Sequence, residues 1–372
     1  MKVLIAAGGT GGHVYPAIAI ANEIEYRYPD WEIEFLGTYN SMEDTAVPNA
    51  GYKINLIDLW PFERFFGFND KMTAVKKLLK SMKSCKKIIK AFAPDIVIGT
   101  GGYVCGPSVL TAHLMKIPTL IAEQNVIPGF TIKTLSKYAD RVCLSFGEAA
   151  DYMHRTDNCV ITGNPVRKDF ELYTRDGARK SLKIAEDEKV ILVFGGSLGA
   201  KSIGEAALGL ADRYRTNDKI KIFLITGEEW YEHIMKKLSA LNIKNNNGHI
   251  TVMPYSDSMP LYMNASDIIV CRSGATTMAE VNYLGIPAIY IPYPHAANDH
   301  QTVNAQASEK RYAAKLINDS ELDEKKLYDT VESMIHNDEV MRTMSEQARK
   351  MGKREAASLL CDNIEEVLKM RQ

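Results

Sequence analysis

The apolar positions of the chain fall into short runs, each closed by a glycine-rich turn and followed by residues at helical spacing. Lys2-Val3-Leu4-Ile5-Ala6-Ala7 enters Gly8-Gly9-Thr10-Gly11-Gly12 and then the helix-like Ala17-Ile18-Ala19-Ile20-Ala21-Asn22-Glu23-Ile24. Asp95-Ile96-Val97-Ile98 enters Gly99-Thr100-Gly101-Gly102. In the second half, Val190 to Phe194 meets Gly195-Gly196-Ser197-Leu198-Gly199-Ala200, and Asp267 to Cys271 meets Arg272-Ser273-Gly274-Ala275. Thr119-Leu120-Ile121 and the stretch from Gly285 to Pro292 are also strand-like. Apolar runs without alternation predict strands buried on both faces, as in a parallel sheet covered by helices. Their alternation with helices predicts an α/β doubly wound fold, in which ligands bind at the carboxyl ends of the strands.

Two such units in each half predict two similar lobes. Ile161-Thr162-Gly163-Asn164-Pro165-Val166-Arg167 ends a strand in Gly-Asn-Pro turn chemistry and predicts a hinge near Gly163. The expected domains are residues 1–163 and 164–340. A charged amphipathic stretch, 341–372, reads as helix packing back across either lobe. The length of 372 residues agrees with about two domains at ~150 residues each. With 46% apolar and 24% charged residues, disordered and fibrous classes are excluded.

Forty-five Lys and Arg against 46 Asp and Glu give a net charge of −1, which argues against a non-specific nucleic-acid binder. No apolar run reaches the ~18 residues of a membrane span, and the chain opens on a strand-like segment, so the expectation is a cytosolic protein able to lie on a membrane. Cys85, Cys105, Cys143, Cys159, Cys271 and Cys361 are scattered without a C-x-x-C pair and read as reduced, mostly buried thiols.

The charge is not evenly spread. Residues 1–70 hold ten acids and four bases, whereas residues 71–90 hold Lys71, Lys76, Lys77, Lys80, Lys83, Lys86, Lys87 and Lys90 and no acid. Helical spacing gathers Lys76, Lys80, Lys83, Lys87 and Lys90 on one face and Leu78, Met82, Cys85, Ile89 and Phe92 on the other. Just before this helix, Trp60, Phe62, Phe65, Phe66 and Phe68 crowd a Pro- and Gly-punctuated loop.

The glycine turns do not fit G-x-G-x-x-G, and no G-x-x-x-x-G-K-[ST] occurs, so nicotinamide-dinucleotide and P-loop readings lose support. Glycine still permits close approach of a ligand, and each following helix N-terminus offers N–H groups to a diphosphate. His13 follows the first turn and is a candidate general base. Glu123 and Asn125, at the end of another apolar run, are expected at the same rim, with polar strand caps as the plain alternative. Ser273 or Thr276 reads as a helix N-cap or a ligand contact. Glu280, two turns on, can hold vicinal ribose hydroxyls or be an ordinary helix acid. A polar segment with His295, Asn298, Asp299, His300, Gln301 and Asn304 follows the next strand as a candidate ligand rim.

Seven segments, in this order, resemble the MurG family of bacterial glycosyltransferases: Gly8 to Pro16, Gly101 to Pro107, Ala122 to Asn125, Gly163 to Arg167, Gly195 to Ala200, Arg272 to Ala275, and Glu280. That family adds N-acetylglucosamine to the lipid-linked muramyl-pentapeptide of peptidoglycan synthesis. The resemblance implies a GT-B architecture, two Rossmann-like doubly wound lobes with a cleft between them. It implies an inverting reaction with UDP-N-acetylglucosamine as donor, no tightly bound cofactor and no metal site. No Asp-x-Asp pair occupies a suitable loop, so a divalent ion is not required.

By the same resemblance, Ser197 lies near the donor diphosphate, Ala275, Thr276 and Glu280 around uridine and ribose, and Gln301 toward the sugar. Thr10, Gly11, Gly12, Asn125 and Arg167 contact the donor, and the acceptor diphosphate meets Gly12, Gly101, Gly102 and Tyr103. His13 is the preferred base, with Glu123 as its partner or rival. Leu198 departs from the family's Gln or Arg, and His300 from the first of its paired Gln. The lysine face and aromatic loop then suit an anionic cytoplasmic membrane surface carrying the lipid-linked acceptor, where the protein would sit peripherally, with other wall-synthesis proteins as candidate partners. Two readings compete: a related GT-B transferase that glycosylates diacylglycerol, and a non-catalytic UDP-sugar-binding scaffold. The Gly8–Pro16 and Ala122–Asn125 segments favour the muramyl acceptor.

Overall fold

The computed structural model describes residues 1–59, 70–196 and 198–370, so Trp60, Phe62, Phe65, Phe66, Phe68 and Ser197 lie outside the described residues. The chain forms two compact units, Met1–Arg167 with Arg354–Gln372, and Lys168–Lys353. In the first unit β1 (Lys2–Ala7), α1 (Gly11–Arg27), β2 (Glu32–Thr38), α2 (Met42–Asn49) and β3 (Lys53–Ile57) are followed by α3 (Asp70–Phe92), β4 (Ile96–Gly101) and α4 (Cys105–Leu114). Then come β5 (Thr119–Glu123), α5 (Phe130–Leu135), β6 (Arg141–Leu144) and β7 (Cys159–Ile161). The sheet is parallel throughout, in the order β3-β2-β1-β4-β5-β6-β7.

Successive residues of β1 enter different layers, which is why its apolar run does not alternate. Val3, Ile5 and Ala7 pack with Val14, Ile20 and Ile24 of α1, whereas Leu4 and Ala6 pack with Cys85 and Ile89 of α3 and Val109 of α4.

The second unit runs α6 (Arg175–Ser181), β8 (Lys189–Phe194), α7 (Lys201–Arg213), β9 (Ile220–Ile225), α8 (Glu228–Ala240), β10 (Ile250–Met253), α9 (Met259–Ala265) and β11 (Ile268–Cys271). It continues through α10 (Ala275–Leu284), β12 (Ala288–Tyr290), α11 (His300–Glu309), β13 (Ala314–Leu316), α12 (Glu324–Ile335) and α13 (Asp338–Met351). Its parallel sheet has the order β10-β9-β8-β11-β12-β13. In both sheets the order reverses beside the first strand, between β1 and β4 and between β8 and β11. Such a switch point opens a crevice at the strands' carboxyl ends.

The two units divide at Arg167/Lys168, just past Gly163, and within the first unit the Arg167 guanidinium lies 4.6 Å over the Tyr15 ring of α1. The C-terminal stretch is two helices, α13 in the second unit and α14 (Ala356–Lys369) in the first. The break is at Gly352, where a Cβ would come 2.4 Å from the Asn282 carbonyl of α10, so this position packs flush on that helix. Beyond the break, Leu360, Ile364 and Val367 of α14 are buried with α1, and Arg27 holds Asp362 at 2.6 Å and also Ser358. Tyr28 donates to Glu365 of the same helix, and Arg141 meets Glu366 at 2.8 Å.

Candidate active site

At the switch point of the first unit, the turns after β1 and β4 lie backbone against backbone. Gly102 has φ +82°, and a Cβ there would come 2.1 Å from the Gly8 carbonyl oxygen. Gly101 has φ +122°, and its Cβ would come 2.2 Å from Cδ2 and 2.7 Å from Nε2 of His13. Both positions therefore need glycine, for the backbone angle and for the space.

His13 stands in the first turn of α1, half-buried against Gly101. Its Nδ1 is 3.2 Å from the Gly8 carbonyl oxygen and 3.3 Å from Thr10 Oγ1. A carbonyl only accepts, so where Nδ1 bonds to Gly8 it carries the proton and the neutral ring keeps its lone pair on Nε2, while the Thr10 hydroxyl can accept from or donate to the same nitrogen. The Thr100 hydroxyl donates to the His13 carbonyl at 2.9 Å and ties the β4 turn to α1. Thr10 is the N-cap of α1 and Val104 that of α4, and neither caps its helix with a side chain. The N–H groups of Gly11, Gly12 and the residues after Tyr103 thus begin two helices at one sheet edge, a setting that favours anions.

Glu123 does not reach the rim as expected. It is 2% exposed at the end of β5, and both oxygens serve the turn that follows. Oε1 accepts from the Asn125 backbone N–H at 2.9 Å and from Asn125 Nδ2 at 3.0 Å, and Oε2 accepts from the Gly129 N–H at 3.0 Å. Burial pushes its pKa up to about 7, against the opposing pull of these donors. The carboxyl group is a brace that fixes Asn125.

In the second unit the Gly199 turn after β8 rests on the turn after β9. A Cβ on Gly199 (φ +78°) would lie 1.8 Å from the Thr226 carbonyl oxygen, and one on Gly227 (φ +81°) 2.6 Å from the Leu198 carbonyl oxygen. Thr226-Gly227 was not singled out from the sequence, although the apolar run Ile220–Ile225 ending on glycine carries the same signal as the other turns. Leu198 projects 81% exposed from the tip of its turn.

The N-cap of α10 is Gly274, without a side-chain cap, so neither Ser273 nor Thr276 has that role. Instead the buried Ser273 hydroxyl donates to the Gln301 carbonyl at 2.8 Å, joining the starts of α10 and α11. Ala275, Thr276 and Glu280 lie in the first two turns of α10, which begins at this contact. The Gln301 Oε1 accepts from the Tyr293 N–H at 3.0 Å, which turns its Nε2 donor end outward from that bond. Asn298 and Asp299, just before α11, adopt left-handed φ of 53° and 52°, an uncommon backbone for such residues outside turns. Arg272 is structural: its guanidinium holds Asp319 at 2.5 Å and the Pro292 carbonyl at 2.9 Å.

On α3 the residues that turn inward are Ser81, Cys85, Ile89 and Phe92. Leu78, expected on that apolar face, is instead exposed along with Leu79. Lys76, Lys80, Lys83, Lys86, Lys87 and Lys90 are exposed. No described helix is long and apolar enough to cross a membrane.

Two doubly wound parallel-sheet units, each with glycine turns and helix N-termini without side-chain caps at its switch point, form the GT-B architecture, and the family matches make the chain a glycosyltransferase. Residues 3–144 match the glycosyltransferase family 28 N-terminal domain, and residues 190–360 match the family's C-terminal domain. The chain is 39% identical over 369 residues to the UDP-N-acetylglucosamine–N-acetylmuramyl-(pentapeptide) pyrophosphoryl-undecaprenol N-acetylglucosamine transferase of Acetivibrio thermocellus, covering 99% of each chain. It is 38% identical to the enzyme of the same name from Bacillus subtilis, covering 99% of this chain and all of that one. The crystal structure of Acinetobacter baumannii MurG superposes with a TM-score of 0.76 at 30% identity, over 98% of this chain and 99% of that one. The chain belongs to the MurG family of glycosyltransferases.

Proposed function

We propose that the protein transfers N-acetylglucosamine from UDP-N-acetylglucosamine to the C4 hydroxyl of the muramyl sugar in undecaprenyl-pyrophosphoryl-N-acetylmuramyl-pentapeptide, inverting the anomeric centre. The observation that carries this reading is the His13 imidazole, held by Gly8 with its lone pair on Nε2 beside two helix N-termini that lack side-chain caps. The first unit takes the acceptor, whose diphosphate meets the turn at Gly12 and the turn of Gly101, Gly102 and Tyr103. His13 Nε2 accepts the proton of the C4 hydroxyl as its oxygen bonds to the anomeric carbon. The bond from that carbon to the diphosphate oxygen breaks, and UDP departs with the electron pair. Negative charge grows on the diphosphate in the transition state, where oriented N–H dipoles stabilise it most.

The donor is held by the second unit. The glycine turn around Ser197 meets the diphosphate, Ala275 and Thr276 meet uridine, Glu280 accepts from the ribose hydroxyls, and Gln301 Nε2 donates to the sugar. Thr10, Gly11, Gly12, Asn125 and Arg167 add contacts to the substrates from the first unit. The acceptor's long isoprenoid keeps it in a lipid leaflet, and the exposed lysines of α3 with Leu78 and Leu79 suit peripheral attachment to the anionic cytoplasmic face of the cell membrane.

The test is incubation with UDP-N-acetylglucosamine and a short-chain analogue of the lipid-linked acceptor. UDP release that depends on the acceptor is expected. Release with diacylglycerol in its place, or donor binding with no release, would overturn the reading.

A further inference from the structure

Glu43 is a carboxyl group that the reaction as described does not use. It sits in the first turn of α2, is 0% exposed, and lies beneath the β1 turn. Its Oε2 accepts from the Gly9 N–H at 3.0 Å. Its Oε1 accepts from the Thr38 N–H at 3.0 Å and from the Thr38 hydroxyl at 2.6 Å. Each oxygen thus accepts from one backbone N–H, and the Thr38 hydroxyl, which also lies 2.9 Å from Ser41 Oγ, adds a third contact. The space around it requires glycine on two sides: a Cβ on Gly8 would lie 2.5 Å from Oε1, and one on Gly37 2.6 Å from Cγ.

The Gly9 N–H and the Gly8 carbonyl belong to one trans peptide group, whose two polar bonds point in opposite directions. Glu43 holds the N–H end, and His13 Nδ1 meets the carbonyl end at 3.2 Å. We infer that Glu43 is a positioning residue for the transfer: through the Gly8–Gly9 peptide it fixes the carbonyl that keeps the proton of His13 on Nδ1. The carboxylate, peptide and imidazole form a chain of hydrogen bonds in which each polarises the next. The arrangement does through a peptide what a carboxylate does directly when it holds a catalytic histidine in its working tautomer. The ionisable neighbours are few. The Cys105 thiol lies near Glu43 and is buried and neutral, and Arg167 lies over Tyr15 two residues from His13.

The inference rests on His13 as the base, and its test includes a readout that does not. Glu43→Gln keeps the shape but has a single acceptor oxygen for two backbone N–H groups on opposite oxygens. Either orientation of the amide therefore sets an NH2 group against one of them. Thr38→Val removes the hydroxyl contacts with Glu43 and Ser41 but keeps both backbone N–H groups on Glu43, and serves as a comparison of similar disturbance. The imidazole nitrogen shifts of His13, read by 15N NMR on the full-length protein without substrate, report its tautomer. In the parent protein and in Thr38→Val the Nδ1–H form should dominate. In Glu43→Gln the two tautomers should mix, while the melting curve stays that of a folded protein.

Turnover of Glu43→Gln should fall by about tenfold or more, within the roughly 10²- to 10⁴-fold that a general base contributes. The KM for the donor should be unchanged. An Nδ1–H tautomer undiminished in Glu43→Gln, or an equal loss of it in Thr38→Val, would overturn the inference. A mixed tautomer with full turnover would instead leave the relay intact and remove His13 from the role of base.

Discussion

Gly101 is the position at which a single methyl group separates catalysis from folding. An alanine there must hold φ near +122°, and its Cβ would come 2.2 Å from His13 Cδ2. The backbone strain costs on the order of 1–3 kcal/mol. Overpacking adds about 1–3 kcal/mol if the neighbours resist. The imidazole is the one of them that can move, and moving it breaks the 3.2 Å contact of Nδ1 with the Gly8 carbonyl. A ring displaced by about 1 Å loses on the order of 10²-fold in rate, or roughly 2.7 kcal/mol on the barrier. Gly51 supplies the comparison, since it has φ +90° and nothing within 4 Å of its Cβ. Gly51→Ala should therefore show the strain alone. Measured by acceptor-dependent UDP release and thermal melting, Gly101→Ala should lose about 100-fold in kcat, and Gly51→Ala should lose stability with kcat close to the parent. Full turnover in Gly101→Ala would refute the placement of His13 against the β4 turn.

Glu123 gives a pH dependence of definite sign. Its pKa is raised from 4.5 to about 7 in the folded protein, so between these values the folded state binds the extra proton. Its contribution is then fully present below about pH 4.5 and is lost as pH rises through about 7, a change on the order of 3 kcal/mol. Glu123→Gln should flatten that part of the stability curve in denaturant titrations at several pH values; an unchanged slope would contradict the burial argument.

For the C-terminal helix, Ile364→Ala should cost about 2–5 kcal/mol by chemical denaturation, as for other buried aliphatic truncations. Arg27→Ala, which removes its bonds to Asp362, Ser358 and Glu23, should cost less than Ile364→Ala. Equal losses would mean that α14 is held by charge and not by its apolar face. Reversing Lys80, Lys83 and Lys87 to Glu should abolish sedimentation with anionic vesicles, since each lysine contributes on the order of 1 kcal/mol and reversal adds repulsion; undiminished binding would count against a membrane role for α3.

The doubly wound fold was legible because buried parallel strands write themselves as unbroken apolar runs. β4 and β8 end on glycines that the packing of neighbouring turns demands, as the 2.1 Å approach at Gly102 and the 1.8 Å approach at Gly199 make plain. The site was legible where local order carries it, as in His13 after its glycine turn. It was not legible where residues distant in sequence meet. Nothing local says that Glu43 lies under Gly9, or that Gly352 abuts Asn282 and breaks the last helix. Glu123 shows the other limit, since a strand's last residue can turn to water or into its own turn, and only the positions of the Asn125 and Gly129 N–H groups decide it. The lysine face of α3 was evident from spacing, and Cys85, Ile89 and Phe92 turn inward as the spacing implies, whereas Leu78 is exposed.

The most direct test of the account is the steady-state kinetics of His13→Ala with both substrates. The account predicts that kcat falls by roughly 10²-fold or more, the share a general base supplies, with the KM for UDP-N-acetylglucosamine unchanged. Turnover equal to that of the parent protein would contradict it.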